Sequence, residues 1–148
     1  RSNNKVFTKD SGGSYDTDKI YKAVKRFADE YNSMLDTAGK SSTNRISRSV
    51  SYMKNETSYN EKPLKEIGIT VDEKTGKLSV DETTFKSADT EKIKNLFNGT
   101  GSYAYSVATK AAMTESYAKS EAAKSNTYTK NGTYNYNYNS GNIFTDMF

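Results

Sequence analysis

The stretch between Leu64 and Asp81 constrains the fold of this chain more than any other part of its 148 residues. Two short runs in it alternate apolar with small or polar side chains, the period of two typical of half-buried strands: Ile67, Ile69 and Val71, then Leu78 and Val80. The intervening residues 72–77 are polar, and Gly76 can adopt the positive φ that a short hairpin loop requires. Asp81 occupies a position typical of a helix N-cap. The stretch therefore predicts a β-hairpin that leads into a short helix.

Two longer segments predict helices. Between residues 17 and 38 apolar residues recur every three or four positions, which predicts one face packed in a coiled-coil-like manner: Ile20, Val24, Phe27, Tyr31, Met34 and Ala38. Residues 102–125 carry a stripe of small side chains, which allows close helix approach: Ala104, Val107, Ala108, Ala111, Ala118 and Ala122. We expect these two helices to pack together, within one chain or between chains, with Phe27 and Ala111 on the facing stripes.

Weaker signals fill the space between and after these elements. A second helix is predicted over residues 41–59, with Ser42 or Thr43 as its N-cap. Pro63 is expected to mark the beginning of the hairpin region. Beyond the hairpin, Thr90 can cap a further short helix.

These patterns predict an α+β fold that is mostly α, with long helices packed coiled-coil-like beside a small β-hairpin and short helices. We divide the chain into a flexible arm at 1–15, a helical domain at 16–125 with its hairpin at 67–80, and a Tyr/Asn-rich tail at 126–148. The hydrophobic fraction of 33% and the mean hydropathy of −0.92 indicate a modest core in the middle of the chain, flanked by polar ends.

Composition argues against catalysis and against bound metals or cofactors. The chain contains no Cys and no His, which removes the thiolate nucleophile, the commonest general base and the most frequent transition-metal ligands. The loop that begins at Asp72 does not fit a calcium loop, because Lys74 occupies a ligand position. We therefore expect no enzymatic activity, no cofactor and no metal site.

Charge and hydropathy argue against two classes of partner. The net charge of +4 is spread over 22 basic and 18 acidic residues, without the basic run typical of nucleic-acid-binding proteins. No apolar run approaches the roughly 20 residues that a membrane-spanning helix needs. We expect neither nucleic acid nor a membrane to be a partner.

The tail differs from the rest of the chain in composition. Residues 134–139 alternate Tyr with Asn, which would place three tyrosines on one face of an extended segment. Residues 143–148 hold four apolar side chains that one helical turn would gather. The tail is predicted either as a disordered linker or as a partner-binding element made of the following residues: Tyr134, Tyr136, Tyr138, Ile143, Phe144, Met147 and Phe148.

Three ordered segments carry a resemblance to a known family. Residues 23–35, AVKRFADEYNSML, are similar to a helix with the pattern V-x-x-F-V-x-x-Y-N. Residues 64–82 are similar to a hairpin with the pattern L-x-x-I-G-I … G-x-L-x-x-D-E, and residues 92–98 to a helix with the pattern V-x-x-L-F. Together they cover roughly residues 20–100 and resemble the C-terminal region of the flagellar filament cap protein, hook-associated protein 2. The chain looks like a short or reduced relative of it.

The resemblance implies a helical stalk with a small hairpin, export through the flagellar apparatus and self-assembly at a filament tip. It implies a non-enzymatic structural protein with protein partners, either flagellar axial proteins or further copies of the chain, and an extracellular location in the bacterial flagellum. The alternative is a small adaptor or chaperone-like module, located in the cytoplasm, that binds a partner through its long helices or its tail.

Overall fold

The structure of the chain is a computed structural model that describes residues 6–38, 43–99 and 101–125. Its described elements are helices joined by one antiparallel hairpin, in the order α1 (Thr17–Ala38), α2 (Asn44–Tyr59), α3 (Glu61–Glu66), β1 (Ile69–Val71), β2 (Leu78–Val80), α4 (Glu82–Ser87), α5 (Thr90–Phe97) and α6 (Tyr103–Ser125). The predicted class, α+β and mostly α, is confirmed.

Helix α1 forms where the heptad-like stripe predicts it. The carboxylate of Asp16 accepts a hydrogen bond from the backbone N–H of Lys19 at 3.1 Å, which caps the first turn. The predicted stripe is buried from Ile20 to Met34, with Val24 and Met34 almost fully removed from solvent. Gly39, which follows the helix, lies outside the described residues. Helix α1 is thus an amphipathic helix whose apolar face is part of the core.

The principal partner of α6 is α2, and this corrects the predicted pairing. Helix α6 does contact α1, since the rings of Phe27 and Tyr103 meet edge to face with centroids 6.0 Å apart. Along most of its length, however, α6 lies antiparallel to α2. The stripe of α2 was hard to recognise because it includes two buried polar residues, Ser49 and Thr57. Small hydroxyl side chains fit such a seam when they are hydrogen-bonded, so apolar periodicity underestimates the packed face of α2.

The hairpin forms at the two predicted apolar runs. Ile69 pairs with Val80 and Val71 with Leu78, and Gly76 in the loop has a φ of +78° as expected. Ile67 is buried but precedes the strand, which corrects its assignment to β1. The strand begins only after Gly68, whose backbone conformation interrupts it.

Gly68 separates α3 from β1 by a sharp turn. Its φ is +90°, and a Cβ atom there would lie 3.0 Å from the backbone N of Phe85. A side chain at this position would therefore be strained and would collide with α4. The close approach lets Ile67 and Ile69 both point into the core from opposite sides of the turn.

The region before the hairpin contains a helix that the sequence did not reveal. Helix α3 includes Pro63, which was predicted to mark the beginning of the hairpin region. Proline is tolerated there because it lies in the first turn, where its missing N–H has no intrahelical partner to lose. Leu64 in the same helix is fully buried.

The caps of α4 and α5 are both aspartates. Asp81 accepts a hydrogen bond from the N–H of Thr84 at 3.2 Å, which confirms the predicted cap. Helix α5 is capped by Asp89, which accepts from Glu91 N at 3.0 Å, rather than by Thr90. The carboxylate is the better acceptor for the exposed N–H groups, so the cap lies one residue before the predicted position and Thr90 is the first residue of the helix.

The core extends into residues that the sequence assigned to the flexible arm. That arm is described from residue 6, and Val6 and Phe7 are each only 3% exposed. An isolated bridge between Lys9 and Tyr15 and a turn held by the Asp10 carboxylate connect this pair to α1. Burial of Val6 and Phe7 offsets the cost of ordering the polar residues between them and the helix.

Candidate protein-association surface

A buried chain of hydroxyl groups fixes three helices relative to one another. Thr57 of α2 donates to the hydroxyl of Tyr31 of α1 at 2.9 Å, and its oxygen lies 2.8 Å from the hydroxyl of Tyr103 of α6. Tyr31 in turn lies 3.5 Å from the carbonyl oxygen of Met53. Because a threonine has one hydroxyl proton, Tyr103 must be the donor to Thr57. The protons therefore run in one direction, from Tyr103 through Thr57 and Tyr31 to the backbone of α2.

Burial raises the pKa of both tyrosines in this chain, since a phenolate would be poorly solvated there. The groups stay protonated and act as hydrogen-bond donors rather than as acid–base catalysts. Edge-to-face contacts surround them, with the Phe27 and Phe97 ring centroids 5.3 Å apart. The arrangement is a structural junction of α1, α2 and α6.

Asn32 attaches the hairpin to α1. Its side-chain amide donates to the carbonyl oxygen of Leu78 at 2.9 Å, and its side-chain oxygen accepts from the N–H of Leu78 at 2.7 Å. The side chain thereby occupies the outer edge of β2 as a neighbouring strand would. Tyr31 and Asn32, the adjacent pair in the first segment of the resemblance, thus serve two different contacts of α1.

The hairpin loop holds an aspartate whose carboxylate is already occupied. Asp72 accepts from the backbone N–H groups of Lys74 and Thr75, both at 2.8 Å. These hydrogen bonds, that of Thr75 first, lower the pKa of the Asp72 carboxyl group. In the described part of the chain, no group of three or more acidic side chains is arranged to hold a metal ion.

A groove of about 350 Å³ separates this loop from α2. Lys54 and Ser58 line one wall, and Val71 and Glu73 line the other. The groove is open and mixes positive, negative and apolar groups, so it lacks the convergent polar atoms of a small-molecule site.

The most distinctive surface is formed by exposed aromatic and apolar side chains on α2 and α6. Among the described residues, the large hydrophobic side chains that are exposed all belong to these two helices: Tyr52, Tyr59, Tyr105 and Met113. Tyr59 is 86% exposed, so the rest of the fold covers little of its ring. An exposed aromatic group of this kind suits contact with a partner.

Two cation–π contacts cross the seam between the helices and define one flank of the pair. Lys110 Nζ lies 4.4 Å from the ring centroid of Tyr52, and Arg45 Cζ lies 4.6 Å from that of Tyr117. By helical spacing, Tyr59 shares the face of Tyr52, and Met113 that of Lys110 and Tyr117. We call this surface the α2–α6 flank, and its members are Arg45, Tyr52, Tyr59, Lys110, Met113 and Tyr117.

The residues predicted to bind a partner cannot be placed relative to this flank. All of them lie outside the described residues: Tyr134, Tyr136, Tyr138, Ile143, Phe144, Met147 and Phe148. The flank itself was missed, although Tyr52 and Tyr59 stand seven positions apart on the side of α2 away from Ile46 and Met53. That spacing is the signal from which it could have been found.

None of the helices within residues 6–38, 43–99 and 101–125 combines the length and the apolar composition that a membrane-spanning segment needs.

Among protein families, the model described as flagellar hook-associated protein 2 C-terminus matches residues 40–147. This span runs from before α2 to beyond α6 and leaves α1 outside it. No curated protein and no solved structure matched the chain.

Proposed function

The chain belongs to the flagellar hook-associated protein 2 C-terminus family, and from this membership we propose that it is a non-enzymatic structural protein of the flagellar filament cap type that acts through protein–protein association. The match across residues 40–147 is the observation that carries the proposal. Its working location is extracellular, in the bacterial flagellum. Its partners are flagellar axial proteins or further copies of the chain.

The α2–α6 flank is the surface through which we propose that the association occurs. It combines exposed aromatic rings with the cations of Lys110 and Arg45, and aromatic and arginine side chains are enriched where proteins bind one another. The junction at Thr57 holds α2 and α6 in a defined register, so the flank is presented on rigid elements.

The second candidate function is that of a small adaptor or chaperone-like module. The same exposed side chains on α2 and α6 favour it, because a partner-binding face of this kind does not require a filament. The two functions differ in location and in the identity of the partner.

Cross-linking in flagellated cells distinguishes them. A photo-reactive phenylalanine analogue at position 59 replaces a tyrosine that is 86% exposed on the flank. We expect the chain to accompany filaments sheared from the cells, and position 59 to cross-link to a flagellar axial protein or to another copy. The matched control carries the analogue at position 73, which is exposed in the hairpin loop.

Retention of the chain in the cytoplasm, with cross-links from position 59 to a non-flagellar protein, would establish the adaptor function instead. Equal cross-linking from positions 59 and 73 would show that the flank is not the association surface.

A further inference from the structure

The α2–α6 flank has a chemical character that selects its occupant. Its rings and the Met113 side chain are apolar, while Lys110, Arg45 and the exposed Arg48 beside them are positively charged, with Glu56 half-buried among them. A complementary ligand needs several apolar side chains in a short segment, together with a negative charge and few positive ones.

Residues 143–148 of the chain meet this description. Ile143, Phe144, Met147 and Phe148 supply the apolar groups, and Asp146 stands between them. Asp146 is also the one charged residue in the sequence from 131 to 148. Three cations of the flank, Lys110, Arg45 and Arg48, outnumber the one half-buried carboxylate of Glu56, so such a segment meets a net attraction.

The path from the helix to the flank is short enough for the segment to bind in the same chain. Because α6 is antiparallel to α2, Tyr117 lies opposite Arg45 and Lys110 opposite Tyr52. From Ser125 back to the level of Tyr103, where the flank ends, is about 33 Å at 1.5 Å per helical residue. Residues 126–142 can span up to about 55 Å when extended.

We propose that residues 143–148 dock on the α2–α6 flank of their own chain. The aromatic and apolar side chains bury one another, and Asp146 lies beside the cations of the flank. Covalent connection raises the effective concentration of the segment to the millimolar range, so modest contacts are sufficient. The docked segment covers the flank, and any partner that binds there has to displace it. This docking takes place in the isolated chain, whether or not the chain works in a flagellum.

Disulfide trapping tests this docking, and the chain suits it because it has no cysteine of its own. The test variant combines Asn55→Cys, at an exposed position between Tyr52 and Tyr59, with Thr145→Cys. The matched control combines Glu73→Cys with Thr145→Cys. Position 73 lines the groove beside Lys54, on the opposite side of α2 from Tyr52.

Under mild oxidation we expect the test variant to form an intramolecular disulfide at least about tenfold faster than the control, at a rate independent of protein concentration. Adding Phe144→Ala and Phe148→Ala should slow it to the control rate. Replacing Tyr134, Tyr136 and Tyr138 by Ala should change it less than about twofold, since these residues lie outside the docked segment.

Equal rates in the test and control variants would overturn the proposal. So would disulfides that form only between chains and increase with concentration, because the occupant would then be a second copy. An equal loss of rate on replacing the three tyrosines would move the docking segment to residues 134–139.

Discussion

Asn32 shows how one side chain can join two kinds of secondary structure. Both backbone groups of Leu78 point away from β1, and without a partner the edge of a two-stranded sheet is weakly held. The amide of Asn32 matches a peptide group in donor and acceptor, so it satisfies both at once. A side chain of similar length that has only donors or only acceptors would leave either the N–H or the carbonyl of Leu78 without a hydrogen bond.

Asn32→Ala is expected to lower the free energy of unfolding by about 1–3 kcal/mol, because it leaves the N–H and the carbonyl of Leu78 without their partner in a partly buried position. Urea denaturation followed by circular dichroism measures the change. Asn55→Ala, at an exposed position on α2, is the matched control and should stay within about 0.5 kcal/mol of the wild type. Equal stability of Asn32→Ala and the control would show that the clamp contributes nothing.

The buried tyrosines predict a stability that falls in alkali. Burial raises the pKa of Tyr103 above its ordinary value of 10.0, so the unfolded chain loses that proton before the folded one. The contribution of the buried tyrosine to the free energy of unfolding is therefore fully present below about pH 10. As the pH rises above this value, the free energy of unfolding falls by up to about 1.4 kcal/mol per pH unit for each such group.

Tyr103→Phe removes one of these groups, so the stability advantage of the wild type over the variant should shrink as the pH rises from about 9 to 11. Urea denaturation at each pH gives this difference. Tyr59→Phe is the control, because that hydroxyl meets water in the folded chain as well. If the wild-type and Tyr103→Phe profiles stay parallel, the hydroxyl of Tyr103 is not the source of alkaline destabilisation.

At the scale of elements, the sequence predicted those features of secondary structure that are determined by neighbouring residues. The strands, the positive φ of Gly76 and the cap at Asp81 follow from alternation and turn chemistry, so they were predictable. Helix α3 was not predictable, because a proline interrupts a helix unless it lies in the first turn, and the sequence does not show where the helix begins.

The pairing of α2 with α6 depends on tertiary structure. The hydroxyl of Thr57 can be buried only because those of Tyr31 and Tyr103 meet it, and nothing local to α2 indicates those partners. The spacing of Tyr52 and Tyr59 could have indicated the α2 part of the flank, but its α6 part could not be predicted, because it depends on the pairing of the two helices. The tail residues proposed to bind a partner stay a prediction.

Helix α6 offers a test of its packed face at two adjacent positions. Ala111 is 2% exposed, whereas Ala112 is exposed. Ala111→Lys should lower the free energy of unfolding by about 2 kcal/mol or more, because a long charged side chain does not fit a seam of small residues.

Ala112→Lys introduces the same side chain with the same helix propensity and should be nearly neutral. Thermal and urea denaturation of both variants give the comparison. Similar losses at the two positions would mean that the packed face of α6 is not the one described.

At the scale of the whole molecule, a single core joins the residues before α1 to the hairpin and the helices. Val6 and Phe7 belong to the same buried cluster as Ile69 of β1 and Phe97 of α5. Elements that share one core unfold together, so the packed part of the chain should behave as one cooperative unit that includes residues assigned by sequence to a flexible arm.

Phe7→Ala tests this cooperativity far from the long helices. Removing a ring that is 3% exposed should lower the free energy of unfolding of the entire packed region by about 3–5 kcal/mol, because the cavity left behind cannot fully collapse. Ser11→Ala, at an exposed position in the same segment, is the control and should have little effect. Helix content and tyrosine fluorescence should report one shared, shifted urea transition. If residues 6–15 were instead an independent arm, Phe7→Ala would leave the transition of the helices where it is in the wild type.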